Sequence, residues 1–264
     1  MTTKLRLAED EQFYLDEQDN KYFRVTNVVS IFFGGETPSE KMLASMRPDN
    51  RKRKYGDLDD PTILQMWKDN AKEAQDLGTA MHSQIETFLL DKDKKMPDPV
   101  TVEFQNFIDY FWEPLVVEQG YTFVSAEEKL CYKYSNGEME MRIAGTFDAM
   151  FKDKEGRLVL CDWKRSKRVE PYSNYPPLSS KPDAPSNLFK WHDNAWYHYN
   201  LQLNIYKRMY ELNYPERKIH RLLLVCMHPD HLDAIRVMDV DIMKESQLND
   251  VFEKVTKISQ ECNK

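Results

Sequence analysis

Seven residues, Leu158-Val159-Leu160-Cys161-Asp162-Trp163-Lys164, constrain this chain more than any other stretch of its length. They predict a strand with a buried look that ends in a carboxylate and an ammonium. Alternate residues of a strand share a face, so Leu158, Leu160, Asp162 and Lys164 point one way and Val159, Cys161 and Trp163 the other. Charged groups in such a place cost several kcal/mol if uncompensated, so they must serve each other or a metal. On the preceding strand Asp148 interrupts another apolar run, Phe147-Asp148-Ala149-Met150-Phe151. A hairpin between the two strands brings Asp148 near Asp162. Two carboxylates with a lysine beside them make a hard oxygen site for Mg²⁺ or Mn²⁺, of the kind phosphodiester hydrolysis needs. The metal would hold the phosphate and lower the pKa of the attacking water, while the lysine orients that water or shares the developing charge. An ordinary Asp–Lys ion pair at a strand end is the plainer alternative.

Around this centre the pattern changes twice. A strand-like lead runs from Phe13 to Ile31 with a turn at Glu17 to Lys21, followed by a Gly34-Gly35 break and a polar, basic loop. Pro61 suits a first helical turn. Apolar residues at helical period then predict helices from 61 to about Ala74, from Gly78 to Leu90 and from Val100 to Val117. Strands are expected at Tyr121 to Tyr134, Met139 to Lys152 and Leu158 to Lys164. Pro171 to Asn187 holds five of the 13 prolines and reads as a long loop. A helix from Asn194 to Leu212, strands at Ile219 to Met227 and Ala234 to Val240, and a terminal helix complete the chain. The sum is one α/β domain over residues 1–264: a lead (1–60), a helical part (61–120), a core with a mixed sheet (121–240) and a C-terminal helix (241–264).

Composition narrows the class. With 41% hydrophobic and 31% charged residues the chain supports a packed core, not a disordered or fibrous one. No apolar run approaches the roughly 20 residues a membrane helix needs, and the start shows no signal peptide, so a soluble intracellular protein is expected. Cys131, Cys161, Cys226 and Cys262 form no Cys-x-x-Cys pair, which suggests neither a zinc knuckle nor an iron–sulfur cluster. The net charge of −7 argues against a nucleic-acid coat protein, but local sign differs. Lys41 to Lys54 carries six basic residues against Asp49, and Lys152 to Arg168 seven against three acids. Both patches are compatible with a phosphate backbone, and a solvated face is the plainer alternative for each.

Two further segments bear on the carboxylates. Gly78-Thr79-Ala80-Met81-His82 opens a predicted helix on which His82 and Glu86 share a face. On the later helix Gln202 and Tyr206 stand four apart, flanked by Trp196, Tyr197, His198, Tyr199 and Tyr210. A lone helical histidine is more often structural, and an aromatic stripe more often core, though stacking of unpaired bases is open to it. Asp148, thirteen residues, then Asp162-x-Lys164 resembles the PD-(D/E)xK nuclease signature. Gly78-x-x-x-His82 before it and Gln202-x-x-x-Tyr206 after it resemble the accessory motifs of the RecB-type, lambda-exonuclease-like branch. That branch takes in mitochondrial genome maintenance exonucleases and virus- or phage-encoded members. Asp162-Trp163-Lys164-Arg165-Ser166-Lys167 and the run from Leu201 to Tyr206 are especially similar to the viral and phage ones. Phe147 stands where the signature has proline.

The resemblance implies a restriction-endonuclease-like core and a metal-dependent DNA exonuclease acting on single-stranded or end-exposed DNA. His82, Asp148 and Asp162 would bind Mg²⁺ or Mn²⁺, as two ions, and Lys164 would assist the water. Gln202 and Tyr206 would position DNA or brace the site. The family's first-strand acid falls on Glu127 or Glu128; spacing to Tyr132 favours Glu128, and only one of these neighbours can face the site. Glu86, one turn on from His82, would support the ligands from behind without touching the ion. Arg165, Lys167 and Arg168 lie just past the catalytic strand, where they would neutralise flanking phosphates or form a solvated exit. The cysteines that clamp an iron–sulfur cluster in some relatives are missing. The rivals are an endonuclease of the same chemistry, a non-catalytic DNA-binding subunit, and a zinc module built on His228 and His231 with Asp230 or Asp233.

Overall fold

Alternation within the central strands sets the architecture, because their two sets of apolar side chains demand a cover on each face. The computed structural model describes residues 4–8, 13–33, 40–135, 137, 140–167, 169–171, 188, 190–230 and 235–261. Eight described strands form one mixed sheet flanked by helices. Three short ones lead: β1 (Arg6–Leu7), β2 (Phe13–Leu15) and β3 (Lys21–Arg24), paired antiparallel in that order. The long hairpin β4 (Thr122–Ser135) and β5 (Glu140–Lys152) follows, then β6 (Leu158–Arg165), β7 (Ile219–Met227) and β8 (Ile235–Val240). The β6–β7 pair is parallel and is joined across one face by α6 (Ala195–Asn213), as a parallel pair requires. Asn194 caps that helix by accepting the Tyr197 N–H at 3.1 Å.

Leu158 and Leu160 of β6, with Leu222, Leu224 and Cys226 of β7, pack under α1 (Val25–Phe33), α6 and α7 (Glu245–Glu261). Val159, Cys161 and Trp163, with Leu223, Val225 and Met227, pack under the end of α4 (Asp60–Leu90), α5 (Val102–Phe107) and a wide-wound π-helical segment, Ile108–Glu118, that holds Pro114. The predicted alternation of β6 is therefore met by two cores, one on each side.

β4 borders β5 along its whole length, so β3 and β6 must share the other edge of β5. β6 pairs with residues 149–152 of β5, and β3 with Ile143 and Ala144. Between them, from Gly145 to Asp148, that edge is open. No helix among the described residues is long and apolar enough to cross a membrane.

Three expectations change. The lead is not strand through Ile31: Val25, Val28, Val29, Phe32 and Phe33 are buried at helical spacing and form α1, where burial of one face outweighs the β preference of branched residues. The segment from 40 to 55 is not a loop but two helices, α2 (Glu40–Ala44) and α3 (Pro48–Tyr55). The two helices expected on either side of Gly78 are one, 31 residues long, started by Asp59, which accepts the Thr62 N–H at 3.0 Å. The Gly34-Gly35 break, most of Pro171 to Asn187, Arg168, His231, Asp233 and Cys262 lie outside the described residues. Cys161 and Cys226 are buried free thiols and Cys131 is a half-buried one.

Candidate active site

The opening in the edge of β5 leaves the neighbouring strand with unpartnered backbone. N–H and C=O of one strand residue point to the same side, and on the exposed edge of β6 both groups of Trp163 need partners. Asp148 and His82 supply them. The Asp148 carboxylate accepts the Trp163 N–H at 2.5 Å through Oδ2, and His82 Nε2 meets the Trp163 carbonyl at 2.9 Å. A carbonyl only accepts, so Nε2 carries the proton and Nδ1 is the nitrogen turned toward the acids. It stands 3.4 Å from Asp148 Oδ1 and 4.0 Å from Glu127 Oε1. One atom each from His82, Glu127 and Asp148 lies within 4.8 Å of the others. Gly78, Thr79, Ser83 and Glu86 line the same cleft, of about 410 Å³.

Burial alone would depress the His82 imidazole, but Asp148 and then Glu127 overcome it and push it up to about 10. Burial raises the Asp148 carboxyl, and the His82 and Lys164 cations more than offset this, leaving it below the usual range. Register sets Asp148 across from Asp162, since the last pair before the opening is Ala149 with Cys161. Asp162 is 2% exposed, and burial pushes its carboxyl up to about 6 against the pull of Lys164. Lys164 Nζ lies 2.7 Å from Asp162 Oδ2, yet that buried oxygen has no hydrogen bond of good geometry, so the contact is ionic. Burial disfavours the Lys164 ammonium, but Asp162 and Asp148 hold it well above its ordinary value. Its charge rests 5.1 Å from the centre of the Tyr199 ring.

The structure brings together His82, Asp148, Asp162 and Lys164, and takes Glu127 where Glu128 was expected. Glu128 faces α6, accepting the Tyr214 hydroxyl at 2.9 Å and the Ser125 hydroxyl at 3.0 Å. The spacing argument failed because Tyr132 belongs to the other face: it packs on Phe252 of α7, so a residue in phase with it does too. Ala126 pairs with Ala149 and Glu128 with Phe147, so Glu127 stands opposite Asp148, at a φ of 49°. Both strands turn over here: Phe147 packs toward α6, while Ala149, two residues on, packs toward α4.

The residues expected to touch DNA divide. Tyr206 is 4% exposed and hydrogen-bonded to Gln202, and its ring lies against Gly145 of β5. Arg165 is also withdrawn, its Nε 2.6 Å from the buried Glu103 carboxylate. Lys167 is exposed and pairs with Asp230 at 2.6 Å. His228 Nδ1 accepts the Asp230 N–H at 3.0 Å. Sequence reasoning missed Tyr199 as a partner of Lys164. Its place seven residues before Tyr206, on the same helical face, was the available signal.

No family model and no curated protein matches this chain. Among solved structures it is similar to SSO0001, at 13% identity and a TM-score of 0.40, over 90% of this chain and 75% of that one. It is also similar to a protein provisionally named an exonuclease from Eubacterium rectale (10%, 0.37, 91% and 79%). A third is a phage-related exonuclease from Haemophilus somnus 129PT (13%, 0.34, 89% and 90%). At these distances the likenesses carry no chemistry, which rests on the geometry of the cleft.

Proposed function

We propose that the chain is a divalent-metal-dependent deoxyribonuclease, a restriction-endonuclease-like domain over residues 1–264 that acts as an exonuclease on single-stranded or end-exposed DNA. One observation carries the reading: His82, Glu127 and Asp148 converge beside the Asp162–Lys164 pair where the sheet opens. The donor set fits Mg²⁺ or Mn²⁺. Once His82 gives up its proton to a bound ion, three carboxylates against one lysine leave two negative charges for a divalent ion to balance. His82 also has the form of a metal ligand, Nε2 donating to a carbonyl and Nδ1 turned to the acids, where an ion would displace its proton. His82, Glu127, Asp148 and Asp162 would hold one ion or two.

When bound, the ion supplies charge stabilisation to the phosphate and acidifies a water molecule. The protein's own groups do the rest. Lys164 stays an ammonium at neutral pH, so it cannot be the base; it orients the nucleophile and shares charge on the phosphate oxygens. Asp162 and the Tyr199 ring keep that ammonium in place. Lys167 is exposed for a flanking phosphate, whereas Arg165 and Tyr206 act by holding β6 and α6.

The test pairs Mg²⁺ or Mn²⁺ with a labelled linear single strand, a linear duplex and a closed single-stranded circle, with Asp162→Ala and Lys164→Ala alongside. Loss of linear DNA with the circle spared, abolished in both variants, is expected. A cut circle replaces the exonuclease with an endonuclease. DNA bound but never cut replaces it with a binding subunit.

A further inference from the structure

At the end of the sheet away from the candidate active site, β5 stops at Lys152 while β6 and β7 begin at Leu158 and Ile219. Leu158 pairs with Lys152 on one side and with Ile219 on the other. Lys152 and Ile219 therefore flank it about 10 Å apart, at two strand spacings, and Lys218 immediately precedes Ile219. The run of β6 from Leu158 to Lys164, about 20 Å, separates this end from the site lysine. A cleft of about 530 Å³ opens here. Its walls are Val124 of β4, the turn at Gly156, Leu158, Tyr210 in the last turn of α6, and Glu216 to Lys218 of the connection into β7.

Four cations and one carboxylate line this cleft, and their pairing decides what it can bind. Arg157 is already engaged: its Nε donates to Asp153 at 2.7 Å and its Nη2 to Glu155 at 3.1 Å. Arg217 has the Glu216 carboxylate 3.4 Å from its Nε and rests on the Tyr214 ring. Lys152 and Lys218 have no acidic partner among the described residues. Two uncompensated ammonium groups match the charge of a phosphate monoester, about −1.5 to −2 at neutral pH. Tyr210 adds a donor. It is 1% exposed and its hydroxyl oxygen accepts from Arg217 Nη1 at 3.3 Å. A guanidinium only donates, so the Tyr210 proton is left over, and among the described residues it meets no acceptor. A buried donor in that position is costly until a ligand oxygen meets it. Val124 and Leu158 give the same cleft an apolar wall, and its volume is that of a small-molecule site, far more than a bare phosphate fills.

We propose that this cleft binds a nucleoside phosphate monoester, the phosphate held by Lys152, Lys218 and the Tyr210 hydroxyl and the nucleoside lying on Val124 and Leu158. A free mononucleotide and the phosphorylated end of a DNA strand carry this same chemistry. The inference stands on the cleft alone and does not require the nuclease reading.

Calorimetric titration with metal chelated tests it. The probes are deoxyadenosine monophosphate, deoxyadenosine, inorganic phosphate, and a short DNA strand bearing either a 5′-phosphate or a 5′-hydroxyl. The nucleotide should bind about tenfold or more tightly than either deoxyadenosine or phosphate. Lys152→Gln/Lys218→Gln and, separately, Tyr210→Phe should each weaken it about tenfold, while Asp162→Ala at the other end of β6 leaves it unchanged. Melting followed by circular dichroism confirms that each variant is folded. A phosphorylated strand that binds more tightly than its hydroxyl twin, and loses that advantage in the lysine variant, assigns the cleft to strand ends. The site is overturned if neither the nucleotide nor the phosphorylated strand binds, or if both variants keep wild-type affinity. Deoxyadenosine or inorganic phosphate binding as tightly as the nucleotide overturns the ligand class. Affinity lost in Asp162→Ala but kept in the lysine variant places the nucleotide in the candidate active site and overturns the proposal.

Discussion

The two nitrogens of His82 face opposite partners, and the molecule's pH response follows from that. Without metal, Nδ1 holds a proton between Asp148 and Glu127, with a pKa pushed up to about 10. A histidine raised in the folded state contributes stability that is full below its unfolded value near 6.5 and is lost as pH rises through about 10. Metal-free protein should therefore lose urea resistance between pH 7 and 10, and His82→Gln should remove that part of the slope; equal slopes would sink the assignment. A bound ion displaces the same proton, so Mn²⁺ affinity measured by calorimetry should rise with pH, by up to about tenfold per unit between pH 7 and 8.5. Gly145 is the other residue with a narrow requirement. A Cβ there would lie 2.7 Å from Tyr206 Cε1 and 3.0 Å from Val25 Cγ2. Gly145→Ala should cost about 1–3 kcal/mol in chemical denaturation, since Tyr206 is buried and has no room to retreat.

Among the elements, the open edge of β5 decides which side chains count. Trp163 would leave an N–H and a C=O unsatisfied there, and the two site residues that cover them are held in place by doing so. The same edge separates Glu127 from Glu128. Glu127→Gln should abolish most of the metal-induced rise in melting temperature, whereas Glu128→Gln should leave that rise intact and cost about 1 kcal/mol, since an amide keeps only one of the two oxygens that accept Tyr214 and Ser125. The reverse result would return the ligand to Glu128. This choice was not legible in the sequence. A register shift near Val124 lies upstream of the pair and a positive φ falls on Glu127 itself, and one residue of slip exchanges faces. The positions of Asp162 and Lys164 were legible, because two-residue alternation against an apolar run survives in any sheet. α1 was misread for a related reason: Val25, Val28 and Val29 favour strands one at a time, but five apolar residues at i, i+3, i+4, i+7 and i+8 make a helical stripe.

Across the whole molecule the candidate ligands come from α4, β4, β5 and β6, elements that only the complete sheet holds together. Metal should accordingly stabilise the sheet as a unit, by about 2.7 kcal/mol at a hundredfold excess over its dissociation constant, seen as a higher urea midpoint with an unchanged slope. Asp148→Asn should cancel most of the gain; a gain retained in that variant would place the ion elsewhere. By itself the sequence determined the layered α/β class, the strands from 122 to 165, and the carboxylate–lysine set, because each rests on periodicity or on the cost of burying charge, and both are local. Only the tertiary structure decided that β3 and β6 share one edge of β5, that Glu127 and not Glu128 meets His82, and that Arg165 turns away to Glu103. Those outcomes depend on register and on which face each element covers, quantities set by contacts between residues as many as 120 positions apart, as Phe23 and Ile143 are.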